Sequence, residues 1–348
     1  MKAKNFKDTT IYIGLDIHAN SWSAYFLSEY VKLKQMNISP PNSKKLVSYL
    51  QSNYPGATYR CAYEAGYQGF WIHDELQKLG VETMVVHAAD IPTTDKERRF
   101  KDDTRDSRKI ALALRSGLLQ GIHVHTPQQI KDRNIVRHRH TIQGDVTRVK
   151  NRIRSHLSFM GPVPSKEEIG QYWSNNMVRA LRQKAEQEEN KALELLLDNL
   201  EYNRKLCLEA NREVRKLSRT ERYRTNAELL CSIPGVGTLT AMTFLTEIGD
   251  VSRFNCDRLH AYCGLIPISN SSGERDIKSR MTKRGNKYLK TKLVLSAWVA
   301  IRTDPELTAA YEKYCKRMKG QQAIIRIAKK QANRMRSVLL KQERFTKI

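Results

Sequence analysis

Residues 10–17 read TIYIGLDI, a short apolar segment that is rich in β-branched residues and carries one acid, Asp16. This pattern predicts a buried strand, because β-branched side chains pack well on a pleated surface. Two more strand-like segments follow at hairpin distance, WSAYFLSE (22–29) and VKLKQMNI (31–38). The chain is therefore expected to open with three antiparallel strands.

Helical and extended patterns alternate over the next hundred residues. The segments are SKKLVSYLQSNY (43–54, helix), TYRCAYEA (58–65, strand), YQGFWIHDELQKLG (67–80, helix), VETMVVHA (81–88, strand) and DTRDSRKIALALRSGLL (103–119, helix). The resulting order, β-β-β-α-β-α-β-α, is that of a ribonuclease-H-like fold, in which helical crossovers add two strands to an antiparallel three. We expect such an α/β domain over residues 1–125.

The remainder of the chain predicts helices. Residues 128–161 have the pattern of one long basic helix that ends near Gly161, ahead of two prolines. The fold class is therefore α/β plus all-α. We divide the chain into the α/β domain at 1–125, a basic helix and coiled coil at 126–222, and a mainly helical domain at 223–348.

A heptad seam runs along residues 193–217. Its positions are three and four residues apart, the spacing that lets one helix pair with another along its length. We prefer pairing with a second copy of the chain, in which Asn203 would set register and oligomer state; the alternative is a hairpin with the preceding basic helix. The seam consists of Leu193, Leu196, Leu200, Asn203, Cys207, Ala210, Val214 and Leu217.

The charge of the chain is strongly positive. Lys and Arg number 61 against 36 Asp and Glu, a formal net charge of +25. From Glu274 onward there are 21 basic residues against 6 acidic ones, and residues 131–154 hold eight against two, including Arg148, Lys150 and Arg152. One basic run is often only a solvated face, but two runs on a basic chain favour nucleic acid as the partner.

Membrane and extracellular locations find no support in the sequence. No apolar run approaches the ~20 residues that span a bilayer. The basic start MKAKNFKDTTIYIG lacks a small-residue cleavage site, and the six cysteines are scattered without CxxC pairs. We expect a cytoplasmic protein without zinc or disulfides.

Four acids fall at predicted ends of strands and helices. Asp16 ends the first strand, and Glu64 ends the fourth, which in this fold lies beside the first. Asp103 and Asp106 open a helix and share one face, about 5–6 Å apart. Four carboxylates at one sheet edge repel unless a divalent cation lies between them, and hard oxygen ligands suit Mg²⁺, or Mn²⁺ in its place. Two such ions can clamp the attacking and leaving oxygens of a phosphodiester.

Each acid alone also has a structural explanation. Asp16 could cap a turn, Glu64 could be a surface acid, and Asp103 could be a helix N-cap. Asp102 is an alternative to Asp103 in the acidic set. The placement of all four at element ends is what favours the catalytic interpretation.

Two further motifs concern phosphate. SIPGVGTLTAMTFLTEIGD resembles a helix-hairpin-helix, in which Pro234, Gly235 and Gly237 would form a tight turn whose amides receive a phosphate; the alternative is an ordinary glycine turn. Downstream, Ser269, Ser271 and Ser272 precede a run of cations. From spacing alone this is more often a phosphate-binding loop than a nucleophile. The cations are Arg275, Lys278, Arg280, Lys283 and Arg284.

Taken together, the motifs resemble the insertion-sequence-110 family of transposases, relatives of the pilin-gene invertase. The resemblance rests on GLDIHANSW, YEAGYQGFW, DDTRDSRKIA, IPGVGTLTAMTFLTEIGD, the GLIP…SSG segment and TKRGNKYLK, in the family's order over nearly the whole chain. It implies a RuvC-like domain whose tetrad would be Asp16, Glu64, Asp103 and Asp106.

The resemblance also implies a C-terminal transposase domain with a nucleophilic serine. That serine follows the glycine of the GLxP element by eight residues, which gives Ser272, with Ser271 as the fallback. Family members are similar to serine recombinases in forming a covalent phosphoserine, with the Mg²⁺ of the tetrad in a composite site. They act as dimers and tetramers, guided by a structured noncoding RNA that pairs with target and donor DNA. A bacterial or archaeal, nucleoid-associated protein is implied.

Three functional hypotheses follow. The favoured one is an RNA-guided DNA recombinase that uses both Ser272 and the tetrad. The second is a metal-dependent nuclease or Holliday-junction resolvase in which Ser272 only holds phosphate. The third is a non-catalytic nucleic-acid binder whose acids are structural.

Overall fold

The computed structural model describes residues 6–93, 103–161, 172–272, 275–282 and 284–346. The chain divides into two compact units, Met1–Val124 and His125–Ile348. The first unit is α/β and the second is mainly helical, which confirms the coarse fold class. A further division of the helical part at residue 222 stays a prediction.

The first unit is built on five strands. Its elements are β1 (Thr10–Ile17), β2 (Trp22–Leu27), β3 (Lys32–Ile38), α1 (Ser43–Asn53), β4 (Thr58–Glu64), α2 (Trp71–Lys78), β5 (Glu82–Val86) and α3 (Asp103–Arg115). The sheet order is β3-β2-β1-β4-β5, with β1, β2 and β3 antiparallel and β4 and β5 parallel to β1. The predicted element order is confirmed.

The sheet is covered on both faces. Ile11, Ile13 and Leu15 of β1 are fully buried in one core with Leu46 and Leu50 of α1. The intervening positions of β1 point to the opposite face, where α3 packs, because successive strand side chains alternate between faces. β1 is therefore buried on both sides, as its nearly continuous apolar sequence predicts.

The second unit is mainly helical. Its helix α4 (Pro127–Met160) begins with a reciprocal cap in which Thr126 Oγ1 accepts the Gln129 amide at 3.2 Å and Gln129 Oε1 accepts the Thr126 amide at 3.0 Å. The elements that follow are α5 (Asn175–Gln187), α6 (Lys191–Ser218), α7 (Arg224–Cys231), α8 (Thr238–Ile248), α9 (Cys256–Tyr262), β6 (Pro267–Ser272), β7 (Arg275–Met281), α10 (Lys287–Thr303), α11 (Pro305–Cys315) and α12 (Gly320–Lys341).

The heptad seam of α6 packs within the chain, as the alternative of a hairpin with the preceding basic helix predicts. Asn190 Nδ2 lies 3.0 Å from His156 Nε2 at one end, and Arg139 Nε donates to Asn211 Oδ1 at 2.7 Å at the other. Helices α4 and α6 therefore form an antiparallel hairpin. Between these ends, seam residues of α6 are buried with apolar side chains of α4.

Asn203 donates its amide to the Asn199 carbonyl at 2.8 Å within α6, and its role in setting register between chains stays a prediction. A heptad pattern states that a partner helix exists but not which helix it is. Assembly into dimers or tetramers stays a prediction.

The serine-rich segment is a β-hairpin rather than the expected loop. Strands β6 and β7 pair antiparallel, with Ser269 opposite Lys278, Ser271 opposite Asp276 and Ser272 opposite Arg275. Ser272 is thus the last residue of β6 before the turn. Helices dominate the sequence on both sides, which masked this short strand pair.

Within the residues that the structure describes, every helix is too short or too polar to cross a bilayer.

Candidate active site and nucleic-acid interface

Asp16 and Glu64 lie side by side at the carboxyl ends of two neighbouring strands. β1 and β4 are parallel, and Leu15 is in register with Tyr63, so the next residue on each strand is one of these acids. Adjacent strands are about 4.8 Å apart. Asp16 is partly buried, with Oδ2 3.2 Å from His18 Nε2, whereas Glu64 is exposed. The sheet therefore supplies two carboxylates at one edge.

Helix α3 lies directly on β1 at Gly14. A Cβ atom at Gly14 would stand 2.0 Å from the Ser107 carbonyl oxygen and 2.5 Å from the Ala111 amide nitrogen, so only glycine permits this approach. The Ser107 hydroxyl contacts the Ser23 hydroxyl at 3.1 Å, and Ser23 is paired with Asp16 across β1 and β2. The Ser107 turn of the helix therefore covers the Asp16 end of the strand.

The direction of α3 follows from its later contacts. Ala111 and Leu112 pack with Leu27 and Tyr12, a cross-strand pair near the start of β1. Helix α3 thus runs antiparallel to β1, with its first turn towards the carboxyl edge of the sheet. That turn contains Asp103 and Asp106.

The fourth acid has a local ion pair. The Asp106 carboxylate accepts from Lys109 Nζ at 2.7 Å along the helix. The side chain of Asp103 lies outside the described part of the structure, as do all atoms of its alternative, Asp102. The elements that bear all four predicted acids nevertheless converge on one edge of the sheet.

This edge suits a hard divalent cation in the chemistry of its donors. Within the described side chains, no three His, Cys, Asp or Glu residues are close enough together to hold a metal ion. That set includes Asp16, Glu64 and Asp106 but not Asp103. The donors on hand are carboxylate oxygens from three different elements, which are the ligands that Mg²⁺ prefers. The donor type therefore fits the predicted ion, although the described carboxylates are not gathered closely enough to hold it in this structure.

An aromatic loop borders the acids and was missed from the sequence. Residues 65–70 connect β4 to α2, and the Tyr67 hydroxyl accepts the Ala19 amide at 3.1 Å, which ties this loop to the one that follows β1. Tyr67 and Trp71 are both well exposed. The density of aromatic residues in YQGFW was the available signal.

The predicted phosphate hairpin between α7 and α8 has two unlike halves. Gly235 has φ +83°, and a Cβ atom there would stand 2.6 Å from the Ser296 carbonyl oxygen of α10. The Pro234 carbonyl accepts from Gln331 Nε2 of α12 at 2.7 Å. Gly237, by contrast, is exposed and caps α8 without a side-chain hydrogen bond. Pro234 and Gly235 thus fix the turn against α10 and α12. Gly237, at the start of α8, is exposed to solvent.

The KRGN turn is anchored by a buried acid that sequence reasoning missed. Glu247 of α8 is fully buried and accepts two hydrogen bonds from Arg137 of α4, at 2.6 and 2.7 Å. It also accepts from Asn286 Nδ2 at 2.7 Å, and Asn286 caps the start of α10. An acid inside the apolar run MTFLTEIG was the available signal. Arg284 of this turn is exposed, and Lys283 lies outside the described residues.

The predicted cations of α4 differ in environment. Arg148 pairs with Asp145 one turn away and stays mostly exposed, and Arg152 is exposed. Lys150 lies 5.4 Å from the centroid of the Trp173 ring. Burial, reinforced by the nearby charges of Arg204 and Arg154, lowers the pKa of Lys150. The charged form of a lysine in such surroundings is stabilised by a nearby anion, such as a phosphate of a nucleic-acid backbone.

Comparison with known proteins matches two parts of the chain to transposase family models. A family model described as a transposase, of the DEDD type of insertion sequence 110, matches residues 13–162. A second, described as the transposase IS116/IS110/IS902 family, matches residues 227–312.

Individual relatives agree with these matches. The Sinorhizobium fredii protein y4rJ is 30% identical over 70% of this chain and 65% of its own length. A second Sinorhizobium fredii protein, y4qE, is 27% identical over 69% of this chain and 58% of its own length. The transposase for insertion sequence element IS1533 of Leptospira borgpetersenii is 25% identical over 69% and 70%. The chain thus spans less than two thirds of the length of the first two relatives.

Proposed function

The chain belongs to the IS116/IS110/IS902 family of transposases, and we propose that it cuts and rejoins DNA as the transposase of an insertion sequence. The observation that carries this proposal is the convergence of Asp16, Glu64 and the first turn of α3 on one sheet edge. A basic chain of net charge +25 supplies the attraction for a polyanionic substrate.

The acids would hold the metal ion. In this proposal Asp16, Glu64, Asp103 and Asp106 bind Mg²⁺, or Mn²⁺ in its place. When bound, the ion offsets the charge that develops on the attacking and leaving oxygens of a phosphodiester. The Gly14 contact serves this role because it brings the α3 backbone down onto the strand that carries Asp16.

The nucleophile would be Ser272, with Ser271 as the fallback. Its hydroxyl loses a proton, a bond forms between Oγ and phosphorus, and the bond from phosphorus to one deoxyribose oxygen breaks. The departing oxygen takes up a proton and leaves as a hydroxyl. Rejoining reverses these events with the hydroxyl of another strand, so the bond energy is kept in the phosphoserine.

Basic residues around the hairpin would offset the charge of the attacked phosphate. The backbone register sets Arg275 opposite Ser272 at the end of the hairpin, which supports this assignment. Guanidinium groups bind phosphate oxygens in a bidentate manner. Further along, Lys278, Arg280, Lys283 and Arg284 would continue the contact with the DNA backbone, and the open amides at Gly237 would receive another phosphate.

A structured noncoding guide RNA is the second proposed partner. The basic residues of α4, with Arg148, Lys150 and Arg152 among them, and the basic C-terminal helices would bind its backbone together with donor and target DNA. Removing the RNA with ribonuclease should then abolish site-specific recombination while leaving nonspecific DNA binding in place. Recombination that survives complete RNA removal would refute this part.

One experiment tests the serine chemistry. The full chain with its co-purified RNA is incubated with supercoiled DNA and Mg²⁺, and the products are separated on a denaturing gel. We expect DNA attached to the peptide that contains Ser272, and loss of this adduct in Ser272→Ala. Ser271→Ala tests the fallback: this variant should keep the adduct if Ser272 is the nucleophile and lose it if Ser271 is.

The alternative activity gives a different result in the same assay. A metal-dependent nuclease or junction resolvase would cut DNA with Ser272→Ala, form no adduct, and lose activity in Asp16→Asn. Retention of binding with no cutting by any variant or by the unaltered chain would leave only a nucleic-acid binder.

A further inference from the structure

We propose that Tyr67 and Trp71 form an aromatic platform that stacks on an unpaired base of the DNA strand to be cut. The inference rests on the proposed function and specifies its substrate: a strand that has an unpaired base beside the scissile phosphate. The term aromatic platform refers below to these two residues.

The loop that carries Tyr67 is held in shape by its own hydrogen bonds. Gly69, at φ +72°, donates its amide to the Gly66 carbonyl at 3.2 Å. The Tyr63 hydroxyl donates to the Gly69 carbonyl at 3.4 Å and accepts the His73 amide at 3.2 Å. Because Tyr63 is a buried residue of β4, the sheet itself fixes the loop.

Tyr67 links the loops that follow the two acidic strand ends. It follows Glu64 by three residues, and its hydroxyl accepts the Ala19 amide at 3.1 Å. Ala19 is next to His18, whose Nε2 is 3.2 Å from Asp16 Oδ2. The side chain therefore connects the loops that follow Asp16 on β1 and Glu64 on β4, although 79% of the residue is exposed.

Trp71 packs against a buried aromatic residue of the sheet. Its ring centroid is 6.1 Å from that of Trp22, at an interplanar angle of 44°. Trp22 is fully buried at the start of β2, where it pairs with Ile17 at the end of β1. Half of Trp71 remains exposed. The side chains of Tyr67 and Trp71 are thus both exposed to solvent, and each contacts another residue of the first unit.

The chemistry of the neighbouring site selects the occupant. Tyr67 lies on the loop that follows the acidic end of β4, and Trp71 begins the helix after that loop. The carboxylates at the strand ends are proposed to act on a phosphodiester. An aromatic ring next to a phosphate chain suits a nucleobase, since every base has a π face that can stack. In an intact duplex those faces are covered by neighbouring base pairs, so the base must be unpaired.

Fluorescence of 2-aminopurine tests the platform directly. Oligonucleotides carry this base, unpaired or paired, next to the cut position, and are bound to the full chain with its RNA in EDTA, so that no cutting occurs. We expect quenching of the unpaired base by the unaltered chain and by Tyr67→Phe, which keeps the ring. Tyr67→Ala and Trp71→Ala should lose most of the quenching.

Tyr30→Ala is the matched control. Tyr30 is 87% exposed in the same unit. It lies in the β2–β3 turn, and the end of β2 pairs with the start of β1, so this turn is at the other end of the strands from Asp16. Its removal should leave the quenching unchanged. Thermal unfolding of each variant shows whether the fold is kept.

Kinetics provide the second readout. Loss of one base stack weakens binding by about 5- to 150-fold, so Tyr67→Ala should raise KM for a substrate with an unpaired base, with little change for a fully paired one. Equal effects on both substrates, or quenching that persists in Tyr67→Ala, would overturn the platform while cutting by the unaltered chain still supports the proposed function. A chain that never cuts DNA, yet quenches through Tyr67, would refute the proposed function alone. Platform variants that bind and cut DNA normally would point to a protein as the occupant.

Discussion

Carboxylates are used in opposite ways in the two units of this protein. In the first unit, Asp16 and Asp106 are partly exposed at the edge of a sheet, and the contacts with His18 and Lys109 span only two and three residues of chain. In the second unit, three carboxylates are almost fully buried, and each is bound by an arginine from a distant element. These pairs are Glu247 with Arg137, Asp132 with Arg222, and Asp304 with Arg334.

The difference distinguishes carboxylates that stabilise the fold from carboxylates that are available to bind a cation or a reacting group. A buried carboxylate bound by arginine is neutralised by that partner and joins two elements, so its removal should affect folding. A carboxylate at an open edge next to other acids can bind a cation or a reacting group. The same side chain is therefore expected to produce different defects in the two units, and each prediction below tests that contrast.

The largest effect should come from Asp16→Asn. We expect DNA cutting to fall by about 10³-fold or more, because the substitution would remove a proposed metal ligand, and the metal ion would contribute several kcal/mol to stabilising the transition state. The midpoint of thermal unfolding should be unchanged. Asp74→Asn is the matched control, since Asp74 also contacts a neighbouring histidine at 3.2 Å; a comparable loss of cutting there would contradict the assignment.

Arg137→Ala should produce the largest loss of stability. It leaves Glu247 buried and without its bidentate partner, at a cost of about 3 kcal/mol in the free energy of unfolding. Arg182→Ala is the control, because Arg182 pairs with Asp198 and Glu201 on the surface, where a loss is worth about 0–1 kcal/mol. Calorimetry that shows equal losses for both variants would remove the contrast between buried and exposed pairs.

Gly14→Ala should affect both properties of the first unit. The added methyl would meet backbone atoms of α3, which costs about 1–3 kcal/mol and moves the helix away from Asp16. Cutting should therefore fall along with stability. In the second unit, a Cβ atom at Gly144 would meet only a flexible atom of Arg148 at 3.8 Å, so Gly144→Ala should stabilise α4. Unchanged cutting by a folded Gly14→Ala protein would show that this contact does not position the acids.

A pH-dependent effect, the smallest of the four, is expected for Asp304. Burial raises the pKa of this carboxyl, but the hydrogen bond and charge of Arg334, 2.6 Å away, outweigh burial and hold the pKa below its ordinary value. Its contribution to stability is thus present above the unfolded pKa of about 3.9 and is lost as pH falls through the lower folded value.

Asp304→Asn removes that dependence while it retains an N-cap for α11. We expect a loss of about 1–2 kcal/mol at pH 7 and a smaller difference at strongly acidic pH. Calorimetric unfolding across this range measures it. Parallel curves for the two proteins would show that the ion pair with Arg334 contributes nothing.

The strands and helices of the first unit were predictable because their signals are local. β1 and β4 are short apolar runs, and their acids stand at the ends, so parallel pairing alone brings Asp16 next to Glu64. The partner of the α6 seam was not predictable, since a heptad pattern fits a helix of the same chain or of another. The hairpin of β6 and β7, in which Ser272 ends the first strand, was also missed, because its polar strands lack the alternation of a half-buried sheet.

The sequence by itself determined the order of elements, the excess of positive charge and the chain positions of the acids, since these depend on neighbouring residues and on composition. Only the tertiary structure decided the direction in which α3 crosses β1, the burial of Glu247 beneath the KRGN turn, and the closeness of Tyr67 to the Asp16 loop. Each of these rests on a contact between residues far apart in the chain, and local spacing carries no information about which distant surface a side chain will meet.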